Sequence, residues 1–559
     1  MIRTFEQHKI REQKELSGSL WNFHKGTREE TGHTLKAQVP GCWEMIPGLE
    51  SYRGVGTYET TFEAEGTVRI EFKGVSHTAD VYVDGRKEAH HYNAYTAFSC
   101  IVKGLGRGKH TLTVEADNRF SPESALHVPN DYMSYGGITR PVVLENLNGV
   151  FIEWIHAVPV KQNGEWKVRL ETCIKNTEDR AVSVNLVIRA AGAEFCSDEL
   201  LLSPEEEKTV SGEMKTPGVM EWDMFSPVLY EISGVLLSGG KPVDDLNDRI
   251  GFREIVTDGK NILLNGRKIR IKGFCRHEDH PLFGCALPYA AIENDLMTVK
   301  DLGANSIRTS HYPNDEVFLD LCDEQGILVW EENHARGLSE EQMRNPYFEE
   351  QAETCIREMI PLHFNHPCIY IWGILNECAS ETEYGRTCYQ KQYDLIRKLD
   401  SSRPRSSASC KFKTELCFDL PEVVSYNIYP EWYHDAPAAE YLSDLYKWVQ
   451  EKGGGEGKPF LITEIGAGAI YGFRTPTRDK WSEEYQADAL KDQMNAVLNQ
   501  EGCSGMYIWQ FCDVRISREW FSNRPRTMNN KGIVDEYRRR KLCYETVREI
   551  YRSYPDYFD

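Results

Sequence analysis

The second half of the chain alternates strand-like and helix-like segments, and this alternation limits the folds it can adopt. From about residue 254, eight apolar runs follow one another: KIRIKGFC, NSIRTS, GILVWEE, CIYIWGILNE, RSSASC, VVSYNIY, PFLITEIG and GMYIWQF. Helical patterns lie between them, for example over 289–302 and 484–498. Eight β-α units predict a closed (β/α)8 barrel, with a doubly wound open sheet as the competing interpretation.

The first 253 residues carry the period-two pattern of half-buried β-strands. Val68, Ile70 and Phe72 fall on one face, and Asp84–Gly85 between two strand-like runs is typical of a hairpin turn. Strand-like runs continue over 150–253, as in WKVRLETCIKN and VSVNLVIRA. We therefore predict two all-β sandwiches, 1–149 and 150–253, followed by an α/β barrel domain over 254–559.

Composition excludes several classes of protein. The net charge of −21 argues against nucleic-acid binding, and no apolar run is long enough to span a membrane. The charged start, MIRTFEQHKIREQKELSGSLW, has no apolar core of a secretory signal. The 16 cysteines are scattered without a C-x-x-C pair, which is typical of reduced thiols. We expect a cytoplasmic protein that binds neither nucleic acid nor membrane.

Two acidic residues stand at the ends of predicted barrel strands. Glu377 closes WGILNE at strand four, and Glu464 lies in LITEIG at strand seven. Because catalytic groups of such barrels sit at the carboxyl ends of strands, and strands four and seven face one another, both acids should meet over one cavity. Glycosidases use two carboxyl groups that flank the acetal bond to be cleaved. The alternative is that each acid only caps a loop.

Four separated motifs occur in a familiar order: KGFCRHEDHPLFG, NSIRTSHYPNDEVFLDLCDEQGILVWEEN, WGILNE and ITEIG, with YGGITRPV in the first sandwich. Together they resemble glycoside hydrolase family 2, which contains β-glucuronidases and β-galactosidases. The resemblance covers the whole chain. It implies a jelly-roll, an immunoglobulin-like sandwich and a TIM barrel, no cofactor, and a homo-oligomer, either a dimer or a tetramer.

The resemblance also implies a retaining double displacement, with Glu377 as acid/base and Glu464 as nucleophile. In such enzymes the two carboxyls stand about 5–5.5 Å apart. At that range like charges raise the pKa of one carboxyl, so we expect the proton on Glu377 while Glu464 stays ionised. Arg308 resembles the arginine beside the nucleophile, where a cation favours the ionised form; the alternative is a structural ion pair.

Other residues receive binding roles from the resemblance. Asn376 is similar to the amide that holds the sugar 2-hydroxyl, and Tyr429 to the tyrosine near the nucleophile. Trp509 resembles a floor for the sugar ring, although core packing is equally plausible. Tyr433, close to Tyr429 in SYNIYPEWY, is a candidate for lining the pocket, as is Trp432; packing is the alternative for both.

RHEDH at 276–280 invites a metal-site interpretation, which the spacing does not favour. His277 and His280 are three residues apart, unlike the H-E-x-x-H arrangement of zinc peptidases. We therefore expect no catalytic metal. The resemblance points instead to Asp279 as a hydrogen-bond acceptor for sugar hydroxyls.

The segment after strand eight, RPRTMNNKGIVDEYRRRK, indicates which class of sugar the site binds. Asn529 and Lys531 match the N-x-K motif of family members that cleave uronides, since a cation and an amide can clasp the C6 carboxylate. Arg524 and Arg526 add positive potential that would attract an anionic substrate. The alternative is a basic, solvated loop. We expect small-molecule uronide glycoconjugates or oligosaccharide ends as substrates.

Some positions depart from the usual β-glucuronidase pattern. Ile465 stands where a tyrosine is usual, Gln510 where an asparagine is usual, and EENHARG places Arg336 after strand three. The short stretch after it lacks the long flap of some bacterial relatives. We expect Arg336 to touch the C4 hydroxyl, whose orientation distinguishes galacturonate from glucuronate; an ion pair with Glu331 or Glu332 is the alternative.

The sequence therefore predicts a retaining exo-β-uronidase that hydrolyses β-D-glucuronides, β-D-galacturonides or both. A β-galactosidase or other neutral-sugar hydrolase of the same family is the first alternative. A non-catalytic carbohydrate-binding protein on the same barrel is a remote one, because both carboxylates are present.

Overall fold

The computed structural model describes residues 1–30, 32–519 and 524–558. The first region is built on an eight-stranded antiparallel sheet and a small two-stranded one. Its strands are β1 Gln13–Glu15, β2 Ser19–Lys25, β3 Leu35–Val39, β4 Val55–Phe72, β5 Val75–Ser76, β6 Thr78–Val83, β7 Arg86–Tyr92, β8 Phe98–Asp117, β9 Gly137–Ile138 and β10 Val142–Leu147.

Val68, Ile70 and Phe72 are all fully buried on one face of β4, as their alternation predicts. Asp84 and Gly85, both with positive φ, form the turn between β6 and β7. This is the hairpin predicted from the sequence.

The second region packs a three-stranded sheet against a five-stranded sheet around one apolar core. Its strands are β11 Val150–Gln162, β12 Glu165–Asn176, β13 Val182–Ala190, β14 Ala193–Cys196, β15 Leu200–Leu202, β16 Glu207–Lys215, β17 Tyr230–Ser238 and β18 Lys241–Ile250. Three short strands then lead to the barrel: β19 Ile255–Asp258, β20 Asn261–Leu264 and β21 Arg267–Ile269.

Eight parallel strands close into a barrel, which confirms the predicted fold and excludes the open sheet. They are β22 Ile271–Cys275, β23 Ser306–Arg308, β24 Leu328–Glu332, β25 Ile369–Ile374, β26 Arg405–Ser409, β27 Val424–Asn427, β28 Phe460–Ile465 and β29 Cys503–Ile508. Every strand but β29 is buried along its whole length, as expected for strands enclosed by helices. After the barrel come β30 Val514–Arg515, β31 Met528–Asn529 and β32 Tyr557–Phe558, which pairs with β21.

The helices of the described residues lie in the barrel region: α1 Tyr289–Asp301, α2 Glu316–Gln325, α3 Glu340–Met343, α4 Phe348–His363, α5 Glu383–Leu399, α6 Ala438–Glu451, α7 Glu483–Asn499 and α8 Cys543–Ser553. Helices α1 and α7 match the two predicted from apolar spacing. Short 3-10 turns occur at Trp43–Met45 and Pro525–Thr527. None of the helices in the described part of the chain combines the length and apolar character needed to cross a membrane.

The first region is fixed onto the mouth of the barrel by a mixed aromatic and ionic contact. Tyr95 stacks on Tyr312 with ring centroids 3.8 Å apart. Arg140 donates to Glu278 at 2.9 Å and to the Pro313 carbonyl at 2.7 Å. Residues 130–140 of the first region, which end at Arg140, are all buried. The first region therefore supplies part of the wall at the mouth of the barrel.

Candidate active site

Glu464 lies in β28, and two donors hold its carboxyl group. Arg308, the last residue of β23, donates from Nη1 to Oε1 at 2.9 Å, and the Tyr429 hydroxyl donates to Oε2 at 2.5 Å. Both donors bind the ionised form, yet burial and the charge of Glu377 raise the pKa of Glu464 to about 7. The nucleophile candidate therefore titrates near neutral pH in the free site.

Arg308 is itself anchored by a third carboxylate. Glu332 accepts from Nε at 2.9 Å and from Nη2 at 3.0 Å, and it also accepts from the Trp330 indole at 2.8 Å. A fully buried guanidinium in this two-pronged ion pair cannot rotate freely. Both sequence interpretations of Arg308 thus apply, since it forms a structural ion pair and also contacts Glu464.

Glu377 stands three residues beyond the end of β25. Leu375 and Glu377 both have positive φ, 45° and 53°, so the backbone turns sharply here. The Asn427 side chain donates to Glu377 Oε1 at 3.0 Å, and Arg336 Nη2 lies 3.5 Å from Oε2. Asn427 is oriented in turn by the Thr463 hydroxyl at 2.7 Å, which couples the position of Glu377 to β28.

Asn376 is held through the oxygen of its amide group. Its Oδ1 accepts from Arg308 Nη2 at 2.7 Å and from Asn427 at 3.1 Å. Its Nδ2 is buried and has no hydrogen-bond partner among the described residues. A buried amide donor without a partner is costly, so this group is suited to a substrate oxygen.

Lys531 and Asn529 lie together at one side of the site. The Lys531 ammonium is buried and stands 5.4 Å from the ring centroid of Tyr433, 5.9 Å from that of Tyr429 and 6.0 Å from that of Trp432. No carboxylate of the described residues approaches it within 4 Å. Burial lowers the pKa of Lys531, and the Arg524 charge adds to this, whereas Tyr433 and the Asp131 charge act in the opposite direction.

Asn529 meets a residue that the sequence reasoning missed. Its Nδ2 donates to Asp131 Oδ1 at 3.1 Å, and Arg524 donates to the other oxygen of Asp131 at 3.0 Å. The Asn529 Oδ1 is buried without a partner among the described residues. Asp131 comes from the first region, and its only sequence signal was its position just before YGGITRPV.

Arg336 occupies the wall between the first region and Glu377. Besides Glu377, it contacts Asn130 Oδ1 through Nη1 at 3.1 Å. The alternative ion pairs with Glu331 and Glu332 do not form in the described residues, because Glu331 contacts His363 and Glu332 contacts Arg308. The charges of Glu377 and Asp131 keep the pKa of Arg336 above its ordinary value in spite of burial.

The remaining predicted residues take different positions. Tyr433 is 56% exposed, and its hydroxyl accepts from Arg524 at 3.4 Å, so it stands at the rim. Trp509 directly follows β29 and stacks on His311 with centroids 5.0 Å apart, so the histidine covers one face of its ring. Trp432 is buried and packs against Trp481, with ring centroids 5.0 Å apart.

Asp279 contacts the first region. Its Oδ2 accepts from the Tyr135 hydroxyl at 2.9 Å, and burial raises the pKa of Asp279 to about 7. In the described part of the chain, no hydrogen bond or ion pair joins it to Glu377 or Glu464. Its expected contact with sugar hydroxyls stays a prediction, and Asp131 is the acidic side chain that reaches the Asn529 amide.

Metal-ligand geometry is not found at RHEDH. Within the described residues, the group with suitable spacing consists of Asp323, His366 and Cys368, near the start of β25. There His366 Nδ1 already bonds to Asp323 at 2.5 Å. The candidate active site itself is made of carboxylates, cations and amides.

Two departures from the usual pattern are visible in the site. Gln510 donates to the Asn529 carbonyl at 3.4 Å, and its backbone amide donates to the Lys531 carbonyl at 3.1 Å. Gln510 therefore braces the segment that carries the amide and the cation. Ile465 is fully buried, so it contributes packing behind Glu464.

A closed barrel with one acid just after β25 and a second in β28, the latter held by a cation and a phenol, is an arrangement typical of glycoside hydrolases. The sequence model of "Glycosyl hydrolases family 2, TIM barrel domain" matches residues 255–554, and that of "Glycosyl hydrolases family 2" matches 150–253. The chain belongs to glycosyl hydrolase family 2, as the motifs indicated.

Relatives within the family differ in the sugar that their names specify. A β-galacturonidase from Eisenbergiella tayi, solved with bound galacturonate, is 61% identical, with a TM-score of 0.98 and full coverage of both chains. A β-glucuronidase from Paenibacillus borealis is 27% identical over 98% of each chain. A β-galactosidase from Thermoanaerobacter pseudethanolicus is 31% identical over 90% of this chain and 64% of its own.

Proposed function

We propose that this enzyme is a retaining exo-β-uronidase that removes a terminal galacturonate or glucuronate from small glycosides or oligosaccharide ends. The observation that carries the proposal is the buried Lys531 ammonium, which has no carboxylate partner among the residues that the structure describes, together with the nearby Asn529 amide. A C6 carboxylate would neutralise the cation and accept a hydrogen bond from the second N–H of the Asn529 amide, whose first N–H is donated to Asp131. A neutral hydroxymethyl group cannot neutralise the cation. The galacturonidase at 61% identity supports the same substrate class.

The reaction would proceed in two displacements. Glu464 attacks the anomeric carbon while Glu377 gives its proton to the leaving oxygen, and Glu377 then removes a proton from the water that releases the sugar. Arg308 and Tyr429 orient Glu464 and favour its ionised form. The free donor of Asn376 would meet the 2-hydroxyl, a contact that strengthens in the transition state.

The acid pair has to hold a single proton for this chemistry. Because Glu464 has a pKa of about 7 in the free site, the proton resides partly on the nucleophile near neutrality. Below pH 7 Glu464 becomes protonated and cannot attack. We therefore expect kcat/KM to fall as the pH drops through about 7.

Arg336 is the proposed determinant of the C4 epimer. It stands 3.5 Å from Glu377 and is held by Asn130, so its guanidinium has a fixed direction at the wall of the site. A fixed donor placed for one hydroxyl orientation leaves polar groups unpaired with the other. We propose that galacturonide is preferred and that Arg336→Ala shifts the kcat/KM ratio towards glucuronide.

A neutral-sugar hydrolase is the second candidate, favoured by the 31% identity to a β-galactosidase. Hydrolysis of p-nitrophenyl β-D-galacturonide, β-D-glucuronide and β-D-galactoside distinguishes the two functions. The proposal expects turnover of at least one uronide with kcat/KM well above that of the galactoside. Turnover of the galactoside alone would establish the second candidate.

We also propose the three-domain division at 149/150 and 253/254, a cytoplasmic location and a dimeric or tetrameric state. All 16 cysteines are free thiols in the structure, which supports a reducing compartment. Chromatography with light scattering would test the number of subunits.

A further inference from the structure

Two thiols meet across the boundary between the first region and the barrel. Cys42 Sγ lies 3.6 Å from Cys285 Sγ, although the two residues are 243 positions apart in the chain. Cys42 precedes the 3-10 turn of the first region, and Cys285 lies in the segment between β22 and α1. Among the described residues, Cys42 and Cys285 are the two cysteines whose thiols are within hydrogen-bond distance of each other.

The backbone on both sides holds the thiols in place. Gly41 donates to the Ile138 carbonyl at 2.8 Å and Trp43 to the Gly136 carbonyl at 3.0 Å, so Cys42 is fixed from both neighbours. On the barrel side, Gly284 has φ +59°, and a Cβ there would come within 2.7 Å of Cys42 Sγ. A side chain at position 284 would separate the thiols, and glycine permits their approach.

One of the two cysteines borders a cavity. Cys285 is partly exposed and lines a cavity of about 360 Å³ together with Arg140 and Glu278, whereas Cys42 is buried behind it. With Cys285 at the cavity and Cys42 buried next to it, Cys285 is placed to attack an external disulfide. Cys42 is placed to attack the mixed disulfide that forms.

We propose that Cys42 and Cys285 form a redox-active pair that closes to a reversible disulfide and ties the first region to the barrel. With a low-molecular-weight disulfide such as oxidised glutathione as oxidant, the Cys285 sulfur loses its proton and attacks, releasing one glutathione thiol. Cys42 then loses its proton and attacks the mixed disulfide at Cys285, releasing the second glutathione thiol. Two protein thiols are oxidised and one glutathione disulfide is reduced.

The Cys42–Cys285 disulfide would form close to the segment that lines the substrate site. Cys42 adjoins the turn containing Glu44, which accepts from the Gly136 amide at 3.0 Å, and the segment 130–136 carries Asp131 into the site. A cross-link that closes a long loop restricts the unfolded chain strongly. The hydrogen bond with Cys42 and burial raise the pKa of the Cys285 thiol, so the exchange is slow at neutral pH and is measured at pH 8.5.

The test treats the full-length protein, Cys285→Ser and the control Cys196→Ser with oxidised glutathione. Free thiols are then alkylated, and the protein is digested without reductant for mass spectrometry. We expect a cross-linked peptide joining residues 42 and 285 in the wild type and in Cys196→Ser, absent from Cys285→Ser and lost on adding dithiothreitol. The oxidised wild type should unfold about 2–4 °C higher than the reduced form.

Cys196 is the matched control because it is an exposed thiol on β14, remote from the pair in sequence. Two results would overturn the proposal. One is a Cys285 that stops at the glutathione mixed disulfide without joining Cys42, and the other is a Cys285 that is alkylated in full after oxidation. An oxidised protein with the cross-link but no rise in unfolding temperature would refute the claim that the bond ties the two regions together.

Discussion

The floor and the rim of the active site are built in different ways. At the floor, Glu464 and Arg308 belong to barrel strands, and Glu377 follows one closely. At the rim, Lys531 comes from the segment after the barrel and Asp131 from the first region. At the floor, hydrogen bonds join Arg308, Glu332 and Glu464, and the Asn376 amide nitrogen is left without a partner among the described residues. At the rim, within the same described residues, the Lys531 cation has no carboxylate partner and the Asn529 amide oxygen has no donor. If the proposed roles hold, barrel strands fix the chemistry and loops fix the choice of sugar.

Removing the proposed nucleophile should have the largest effect, and the loss should be the same for every substrate. Glu464→Ala leaves no carboxylate to form the glycosyl-enzyme, so kcat should fall by at least about 10⁴-fold for uronides and for any neutral glycoside. Initial rates with p-nitrophenyl glycosides measure this loss, and circular dichroism checks the fold. A variant that lost only uronide activity would indicate that Glu464 selects the sugar. That result would contradict the division between catalysis at the floor and sugar selection at the rim.

Replacing the acid should depend on the leaving group. Glu377→Gln should slow glycosides with poorly acidic leaving groups by about 10²–10⁴-fold, because they need protonation, and activated phenols much less. The slope of log kcat/KM against the leaving-group pKa measures this. Equal losses for all leaving groups would argue that Glu377 is not the proton donor.

Changing the rim cation should affect one class of sugar. Lys531→Ala removes a charge-assisted contact of about 1.5–3 kcal/mol, so uronide kcat/KM should drop roughly 10- to 150-fold. Activity on the neutral galactoside should stay the same or rise. Lys480→Ala, which removes a lysine bonded to the Trp432 carbonyl, is a matched control that should leave the ratio unchanged. Equal losses on both substrates would mean that Lys531 supports the fold of the floor.

The smallest expected effect is a shift in the pH profile. Tyr429→Phe removes the hydroxyl that donates to Glu464 at 2.5 Å and lowers its pKa. The pKa of Glu464 should therefore rise, and the acid limb of kcat/KM should move to higher pH by about one unit. Tyr433→Phe, at the rim, serves as the control. A limb that stays in place would show that another group governs it.

The same contrast explains how far the sequence could predict the molecule. Eight strand-like runs gave the barrel, and position at a strand end gave Glu377 and Glu464, because parallel strands deliver their carboxyl ends to one mouth. Asp131 was missed because its partner, Asn529, lies 398 residues away, and no local pattern indicates that the first region reaches the barrel mouth.

Asn427 was missed for a different reason. It is the last residue of β27, where side chains of a barrel point to the active site, so its position could have been recognised. Its side chain is an uncharged amide, and the sequence prediction considered acids first. Asp279, also next to a barrel strand, accepts from the Tyr135 hydroxyl, and its expected contact with sugar hydroxyls stays a prediction. Side-chain direction in loops depends on packing between distant regions.

Trapping the glycosyl-enzyme tests the central claim most directly. The wild type and Lys531→Ala are treated with 2-deoxy-2-fluoro-β-galacturonosyl fluoride and with the matching galactosyl fluoride, and labelled peptides are identified by mass spectrometry. We predict that both reagents label Glu464, that the wild type reacts far faster with the uronate, and that this preference collapses in Lys531→Ala. Label on a residue other than Glu464, or a wild type that reacts equally fast with both sugars, would contradict the account.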